Sequence, residues 1–296
     1  MKHAVALGNF DGVHRAHGEL IRKLVDYAGE KNMKSVVYTF DKHPSTLLGD
    51  LAVKTITSND EKGKILHNMG VDEVYFEPLT AKLLNTSPEV FIKDILMRRF
   101  DVGMAAAGFN YRFGKNGEGN TNDLCALGKK YGFDVLIADE VTLDGATVSS
   151  TEVRKALLSG EIERANNLLG RTYSLFGVVV KGKELGRTIG FPTLNIELAQ
   201  KMLSPKNGVY VSRTEIEGVL HEGVTNIGTN PTVENAVPRA ETHVFGFDRF
   251  VYGSRIKVFL LQRIRDEKRF SGVDELKAQI AEDVKHAKKI FKNTNL

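Results

Sequence analysis

The sequence predicts two domains of different fold class, a parallel α/β sheet followed by an antiparallel β-barrel or sandwich that one helix closes. Three observations lead there. The first half alternates short β-branched runs with stretches of helical periodicity, as strand–helix–strand crossovers do. The second half carries similar runs separated by Gly, Asn and Pro turns instead of helices. At 296 residues the chain lies near the length, roughly 250–300 residues, at which a single core stops growing.

In the first half, residues 3–7, 35–40, 73–76, 102–107 and 135–138 are predicted as strands, joined by right-handed crossovers. Leu20, Ile21, Leu24, Val25 and Ala28 form the apolar stripe of a first helix. Ser58 with Glu61 reads as a capping box, and Ser87-Pro88 as an N-cap followed by proline at the first helical position. A short helix over 161–169 ends at Gly170-Arg171, and the boundary between the domains, 1–169 and 172–296, is placed there. Beyond it, residues 175–180, 209–214, 242–247 and 256–261 are predicted as strands. From Asp274 the apolar positions Leu276, Ile280, Val284, Ala287 and Phe291 recur every three or four residues, a stripe that can pack on the barrel.

Composition narrows the function. Apolar residues make up 42% and charged residues 26%, ordinary globular usage, and no apolar run is long enough to cross a bilayer, so no membrane role is expected. Residues 1–8 run straight into a structured motif with no small-residue cleavage pattern, which argues against a signal peptide. Cys125 is the only cysteine, so an internal disulfide and a cysteine-rich zinc site are excluded, and a reducing compartment, the cytoplasm, is expected. The 41 Lys and Arg are dispersed among 37 Asp and Glu. That balance suits phosphate-bearing small molecules without calling for nucleic acid. Oligomeric state is left open.

The densest motif of the first half, Gly8-Asn9-Phe10-Asp11-Gly12-Val13-His14-Arg15-Ala16-His17, leaves the first strand and opens the first helix. In an open parallel sheet this is where ligands bind, because free N–H groups and the positive helix end face the crevice. Gly8 and Gly12 let the main chain approach a ligand, and His14 and His17, three apart, point the same way. Read from the residues alone, the pair also suits a tight turn with two surface histidines, or metal ligation.

This decapeptide resembles the G-x-F-D-G-x-H-x-G-H segment of the nucleotidylyltransferase superfamily, in the form found in bifunctional riboflavin kinase/FAD synthetases. Three further segments carry the resemblance: Thr39-Phe40-Asp41-Lys42-His43-Pro44, the glycine-rich Gly108-Phe109-Asn110-Tyr111-Arg112-Phe113-Gly114, and Ser149-Ser150-Thr151-Glu152-Val153-Arg154. The resemblance implies a Rossmann-like parallel α/β domain in which the FMN phosphate attacks the α-phosphorus of ATP and pyrophosphate leaves. His14, His17 and Arg154 would stabilise charge on the phosphates. Gly8, Asn9, Phe10, Asp11, Gly12, Ser150 and Thr151 would contact ATP, and Asn110 would help hold Mg²⁺ and the triphosphate. Phe40, Tyr111 and Phe113 would contact the flavin. Ser150 and Thr151 equally suit simple helix capping. The sequence departs from the pattern at Ala16, where the family has glycine, which adds a methyl group close to the expected nucleotide.

In the second half, Gly186-Arg187-Thr188-Ile189-Gly190-Phe191-Pro192-Thr193-Leu194-Asn195 is similar to the riboflavin kinase G-R-x-x-G-F-P-T-x-N signature. Gly208-Val209-Tyr210, the segment 226–232, Glu241-Thr242-His243, Phe247-Asp248 and Tyr252-Gly253 follow in family order. The resemblance implies an antiparallel β-barrel in which Thr193 and Asn195 bind Mg²⁺ on the ATP phosphates. Glu241 would contact riboflavin and take the proton from its 5′-hydroxyl, and the loop with Gly186, Arg187, Thr188 and Gly190 would close over the phosphates. Without it, Phe191-Pro192-Thr193 reads as a turn into a strand, Asn195 as its cap and Glu241 as an outward strand residue. ATP, riboflavin, FMN and FAD are thus the expected partners and Mg²⁺ with ATP the expected cofactor. Two rivals stand beside this: a riboflavin kinase with an impaired or repurposed first domain, and a non-catalytic flavin- or nucleotide-binding regulator.

Overall fold

The computed structural model describes residues 1–44, 53–182, 185–198, 202–228 and 239–293. The chain forms two compact units, Met1–Ser150 and Thr151–Leu296. In the first, strands β1 His3–Leu7, β2 Lys34–Phe40, β3 Glu73–Glu77, β4 Val102–Gly108 and β5 Asp134–Ala138 pair in parallel in the order β3-β2-β1-β4-β5. They are joined through α1 Arg15–Glu30, α2 Asn59–Asn68, the short helices α3 Ala81–Leu84 and α4 Pro88–Phe91, a π-helical turn Ile92–Met97, and α5 Thr121–Tyr131. All five strands expected from the sequence are present, and a small hairpin, β6 Thr142–Leu143 with β7 Ala146–Thr147, follows them.

Helices cover both faces of this sheet, as parallel strands with apolar side chains on each side require. Ala4 and Ala6 of β1 face Leu20, Ile21, Leu24 and Ala28 of α1, while Val5 and Leu7 face the side that holds Phe91, Ile92, Leu96 and Leu124. Each fully buried leucine or isoleucine of that stripe contributes about 1.5–3 kcal/mol. Ser58 caps α2 by accepting a hydrogen bond from the Glu61 amide, and Pro88 opens α4. Ser87, the N-cap of α4, makes no capping hydrogen bond through its side chain. Asn120 and Asp123 form a complete capping box at α5.

The second unit holds α6 Ser150–Ser159 beyond its first residue, α7 Ile162–Leu169, the single turn α8 Leu185–Thr188 and α9 Val273–Asn293. Its strands, β8 Tyr173–Val180, β9 Leu194–Leu198, β10 Gly208–Ile216, β11 Val219–Gly228, β12 Arg239–Val244 and β13 Arg255–Arg265, close into an antiparallel barrel in the order β10-β11-β12-β9-β8-β13. Asn166 ties α7 to the barrel: its amide donates to the Leu260 carbonyl at 2.9 Å and its oxygen accepts from the Tyr173 N–H at 2.7 Å. Strand β11 was not among the expected ones, and β9 was anticipated only as the strand that the Phe191-Pro192-Thr193 turn would enter. β10 and β11 join through a two-residue turn, Glu217-Gly218, with φ of 53° and 80°, the left-handed geometry of a tight hairpin.

Residues on one face of the barrel strands include Ser212, Thr225 and Thr242, fully buried with their hydroxyls linked at 2.8 Å. The opposite face meets α9. Ala287, Val284, Ile290 and Phe291 pack on Val211 and Val224, in line with the expected stripe. The middle of α9 is pinned by charge: Arg265 of β13 donates to both carboxylate oxygens of Asp283 at 2.7–3.1 Å, and Gln279 donates to the same group at 3.0 Å. Asp283 is only 4% exposed. Asp283→Ala would leave the guanidinium uncompensated beneath the helix, and thermal unfolding should show a loss of about 3–5 kcal/mol in the second unit.

Candidate functional site

In the first unit the strand order reverses between β1 and β4, and the loops leaving the carboxyl ends of these neighbours bound the crevice where open α/β sheets bind ligands. The β1–α1 loop is tightly held. Phe10, Gly12 and Val13 take φ of 47°, 82° and 42°, conformations that persist only when surroundings impose them. Asp11, 2% exposed, does so by accepting from the Ile56 and Thr57 amides, the Gly12 amide donates to the Thr57 hydroxyl, and the Ser150 hydroxyl donates to the Asp11 carbonyl. Phe10 is 1% exposed beneath Gly8, where an added Cβ would lie 3.1 Å from its ring. The Phe10 and Asp11 side chains therefore build the loop from below, and what they can offer a phosphate is their main chain.

His14 is the N-cap of α1, and its Nδ1 accepts from the His17 N–H at 3.4 Å, which places the His14 ring proton on Nε2. The two imidazoles stack with centroids 3.6 Å apart and planes inclined by 16°, and Phe10 supports His17 at 5.0 Å. No acidic residue occupies the first turn of α1, so the positive helix end and the stacked rings suit an anion. Asn110 is exposed just beyond β4, beside Gly108. Tyr111 stacks on Phe113 at 5.7 Å, and burial pushes its phenol pKa up. Phe113 is 6% exposed and packs into the core with Phe91, so Tyr111 and Phe40, both half-buried, have more surface to give a flavin. Thr151 and Arg154 lie on α6 in the second unit.

Ala16 stands in the first turn of α1 with ordinary helical backbone, a position that needs no glycine. Ala16→Gly is expected to lower stability by up to about 0.5–1 kcal/mol, measured by thermal unfolding.

In the second unit the candidate residues form a row across the barrel. Glu241 of β12 pairs with Asn195 of β9 on one side and with Asn226 of β11 on the other, and Asn226 leads through Val209 to Arg265. Directly opposed residues share a face. This row faces α9 across a cavity of about 190 Å³ whose lining includes Thr193, Glu241, His243, Phe270, Leu276 and Ile280. Its apolar walls with a few convergent polar groups match what a small planar ligand needs. Asn226 belongs to a segment the sequence had flagged, but its place beside Glu241 appears only in the register. Residues 229–232 of that segment, and 183–184 of the loop before α8, lie outside the described residues.

The Gly186–Asn195 segment is shaped by close backbone contacts. Phe191 N–H donates to the Gly186 carbonyl at 2.7 Å, and a Cβ on Gly186 would lie 2.4 Å from the Phe191 carbonyl oxygen. Gly190 has φ of 89°, where a side chain is strained. His243 Nδ1 donates to the Pro192 carbonyl at 2.8 Å with its ring edge-on to Phe191, and burial holds its pKa below the usual imidazole value against the pull of that hydrogen bond. Across β9 a second groove contains Arg187, Thr193, Phe247, Phe250 and Tyr252. There the exposed Phe250 and Tyr252 rings lie 5.7 Å apart and the Arg187 guanidinium sits 4.3 Å from the Phe250 centroid, a platform for an aromatic base.

The Thr193 and Asn195 oxygens fit a hard cation that arrives with phosphate ligands and keeps its waters. The Asn195 amide is nearly buried against Gly182, where a Cβ would come within 2.2 Å of Nδ2, so its orientation depends on that glycine. Among the described residues no three His, Cys, Asp or Glu side chains group as a metal cage, and no helix is long and apolar enough to cross a membrane.

The FAD synthetase family model matches residues 1–152 and the riboflavin kinase family model matches residues 169–291. The bifunctional riboflavin kinase/FMN adenylyltransferase of Listeria monocytogenes is 37% identical over 97% of this chain and 92% of its own length. Those of Escherichia coli K12 and Bacillus subtilis are 38% and 36% identical over 97% and 99% of this chain, and 92% and 93% of their own. A crystal structure from Streptococcus pneumoniae, described as a macrolide-efflux protein, is similar with a TM-score of 0.88 at 31% identity, covering 95% of this chain and 92% of that one. With both family models matched in order and relatives aligned almost end to end, the chain belongs to the bifunctional riboflavin kinase/FMN adenylyltransferase family.

Proposed function

We propose that the two activities of the family occupy separate sites in this chain, with residues 172–296 phosphorylating riboflavin to FMN and residues 1–169 adenylylating FMN to FAD. The observation that carries this is the pairing of an exposed carboxylate, Glu241, with a cavity beside the barrel, and of two stacked imidazoles with a helix N-terminus at the carboxyl end of β1.

In the barrel, the isoalloxazine fills the cavity under α9 and the ribityl 5′-hydroxyl reaches Glu241. The carboxylate accepts the hydroxyl proton as that oxygen attacks the γ-phosphorus and the bond to ADP breaks. Adenine lies on Phe250 and Tyr252, so the phosphates run past Arg187 and Thr188 towards Thr193 and Asn195, beneath Gly186 and Gly190. These oxygens would hold Mg²⁺, which supplies charge neutralisation on the phosphates. His243, neutral and bonded to Pro192, keeps the turn before Thr193 in place.

At the carboxyl end of the sheet, a phosphate oxygen of FMN attacks the α-phosphorus of ATP and pyrophosphate leaves, so the protein's work is positioning and charge stabilisation. The Gly8–Gly12 main chain and the α1 N-terminus meet the phosphates, His14 Nε2–H and His17 donate to them, and Asn110 and Ser150 complete the set. Tyr111 and Phe40 offer aromatic surface to the flavin. A single cysteine, Cys125, supports a cytoplasmic setting, where it stays reduced.

Chromatography of riboflavin, ATP and Mg²⁺ incubated with the protein tests this. FMN should form first and FAD follow. FMN without FAD would support a kinase with a silent first domain, and neither product would support a binding regulator.

A further inference from the structure

The β1–α1 loop has a support that none of the motifs includes. Lys62 of α2 is 3% exposed, and its Nζ donates to the Asn9 carbonyl at 2.8 Å. The Thr39 hydroxyl, at the end of β2, donates to the same oxygen at 3.0 Å. Asn9 immediately precedes the stretch in which Phe10, Gly12 and Val13 take positive φ, so this carbonyl is where the unusual turn is anchored to β2 and α2. A side chain held only for packing would not be a lysine, because burying an ammonium is unfavourable unless its charge is used.

We propose that Lys62 is a positioning residue for adenylyl transfer, its ammonium fixing the Asn9 carbonyl and placing positive charge under the phosphate-binding loop. The inference rests on the assignment of that reaction to the Gly8–His17 site. Among the described residues, the charged group that faces it from the loop is Asp11, β3 presents the Phe76 ring at 5.9 Å, and β2 presents the Thr39 hydroxyl through the shared carbonyl.

Burial pushes the Lys62 pKa down to about 8, and Asp11 acts in the opposite direction. The ammonium is therefore present below about pH 8 and lost above it. Stability moves the other way: between that value and the ordinary lysine value near 10.4 the unfolded chain binds more protons than the folded one, so this group makes the fold more stable as pH rises. Loss of adenylyl transfer above about pH 8 thus does not follow from unfolding at Lys62.

The test uses the full chain as wild type, Lys62→Met and Lys62→Arg, with kcat and KM of FMN adenylylation and riboflavin phosphorylation measured from about pH 6.5 to about 9.5. Expected are an alkaline limb near pH 8 in wild-type adenylylation, a fall of about tenfold or more in kcat at neutral pH with no such limb in Lys62→Met, and a flat profile in Lys62→Arg. Phosphorylation should be the same in all three. Titration of the Lys62 ¹³Cε resonance in the wild type provides a readout that needs no variant to fold, and should have its midpoint near pH 8. Unchanged adenylylation in folded Lys62→Met, an alkaline limb that survives in it, or a midpoint near 10 would overturn the proposal. If His17→Ala abolishes adenylylation while Lys62→Met leaves it intact, only the role of Lys62 falls. If His17→Ala leaves it intact, the site assignment falls as well.

Discussion

Glu241→Gln should lower riboflavin phosphorylation by about 10²–10⁴-fold, through kcat, and leave FMN adenylylation at its normal rate. Glutamine keeps the size of the side chain and its place between Asn195 and Asn226, so the row across β9, β12 and β11 is retained. What disappears is the one group of that row able to accept a proton from an attacking hydroxyl. Glu241 is exposed on its strand, and exchange at such positions normally changes stability by no more than about 0.5 kcal/mol, so a folding defect is not expected. Retained riboflavin binding with lost turnover, seen by quenching of flavin fluorescence beside a product assay, separates a base from a merely structural carboxylate. If kcat falls less than about tenfold, another group takes the proton.

His17→Ala should do the converse, reducing FAD formation from FMN by about 10²–10³-fold while riboflavin phosphorylation continues. His17 is the better probe of the stacked pair. His14 is also the N-cap of α1, and removing a cap costs about 1 kcal/mol, which would mix a folding effect with a chemical one. The His17 ring lies between His14 and Phe10, and truncation leaves the loop clamps at Asp11, Thr57 and Ser150 in place. Thermal unfolding of this variant should stay close to that of the wild type, with the loss confined to one of the two product curves.

The parallel sheet was legible because its central strands β1, β2 and β4 are largely apolar runs buried on both faces, and its helices have visible ends. The barrel was less so. Strand β9, Leu-Asn-Ile-Glu-Leu, alternates apolar and polar residues, but it is only five residues long and Asn195 falls inside the Gly186–Asn195 motif, so it read as the end of a turn. Gly223 interrupts β11, where a Cβ would lie 2.5 Å from the His243 carbonyl oxygen, so a close approach of two strands looked like a break. The Glu217-Gly218 hairpin lacks the asparagine or aspartate that marks such turns.

The same limit applies to the sites. Motif spacing brought His14, His17, Thr193, Asn195 and Glu241 forward, but it could not tell a side chain that faces ligand from one that holds the loop. Phe10, Asp11 and Phe113 sit in dense motifs and are buried, whereas Phe250, which lies between the Phe247-Asp248 and Tyr252-Gly253 pairs and belongs to neither, offers an exposed ring beside Arg187. Lys62 is 53 residues from Asn9, and Asp283 is 18 from Arg265 on another element, so neither contact has a local trace in the sequence. Tertiary register creates them.

Mixing the two variants is the most direct measurement. Glu241→Gln alone should turn FMN into FAD but leave riboflavin untouched, and His17→Ala alone should stop at FMN. Together, with riboflavin, ATP and Mg²⁺, they should produce FAD, because FMN released from the intact barrel of one reaches the intact β1–α1 site of the other. A mixture of folded variants that yields no FAD, loss of FAD formation from added FMN in Glu241→Gln, or loss of FMN formation from riboflavin in His17→Ala would contradict two independent phosphoryl-transfer sites in one chain.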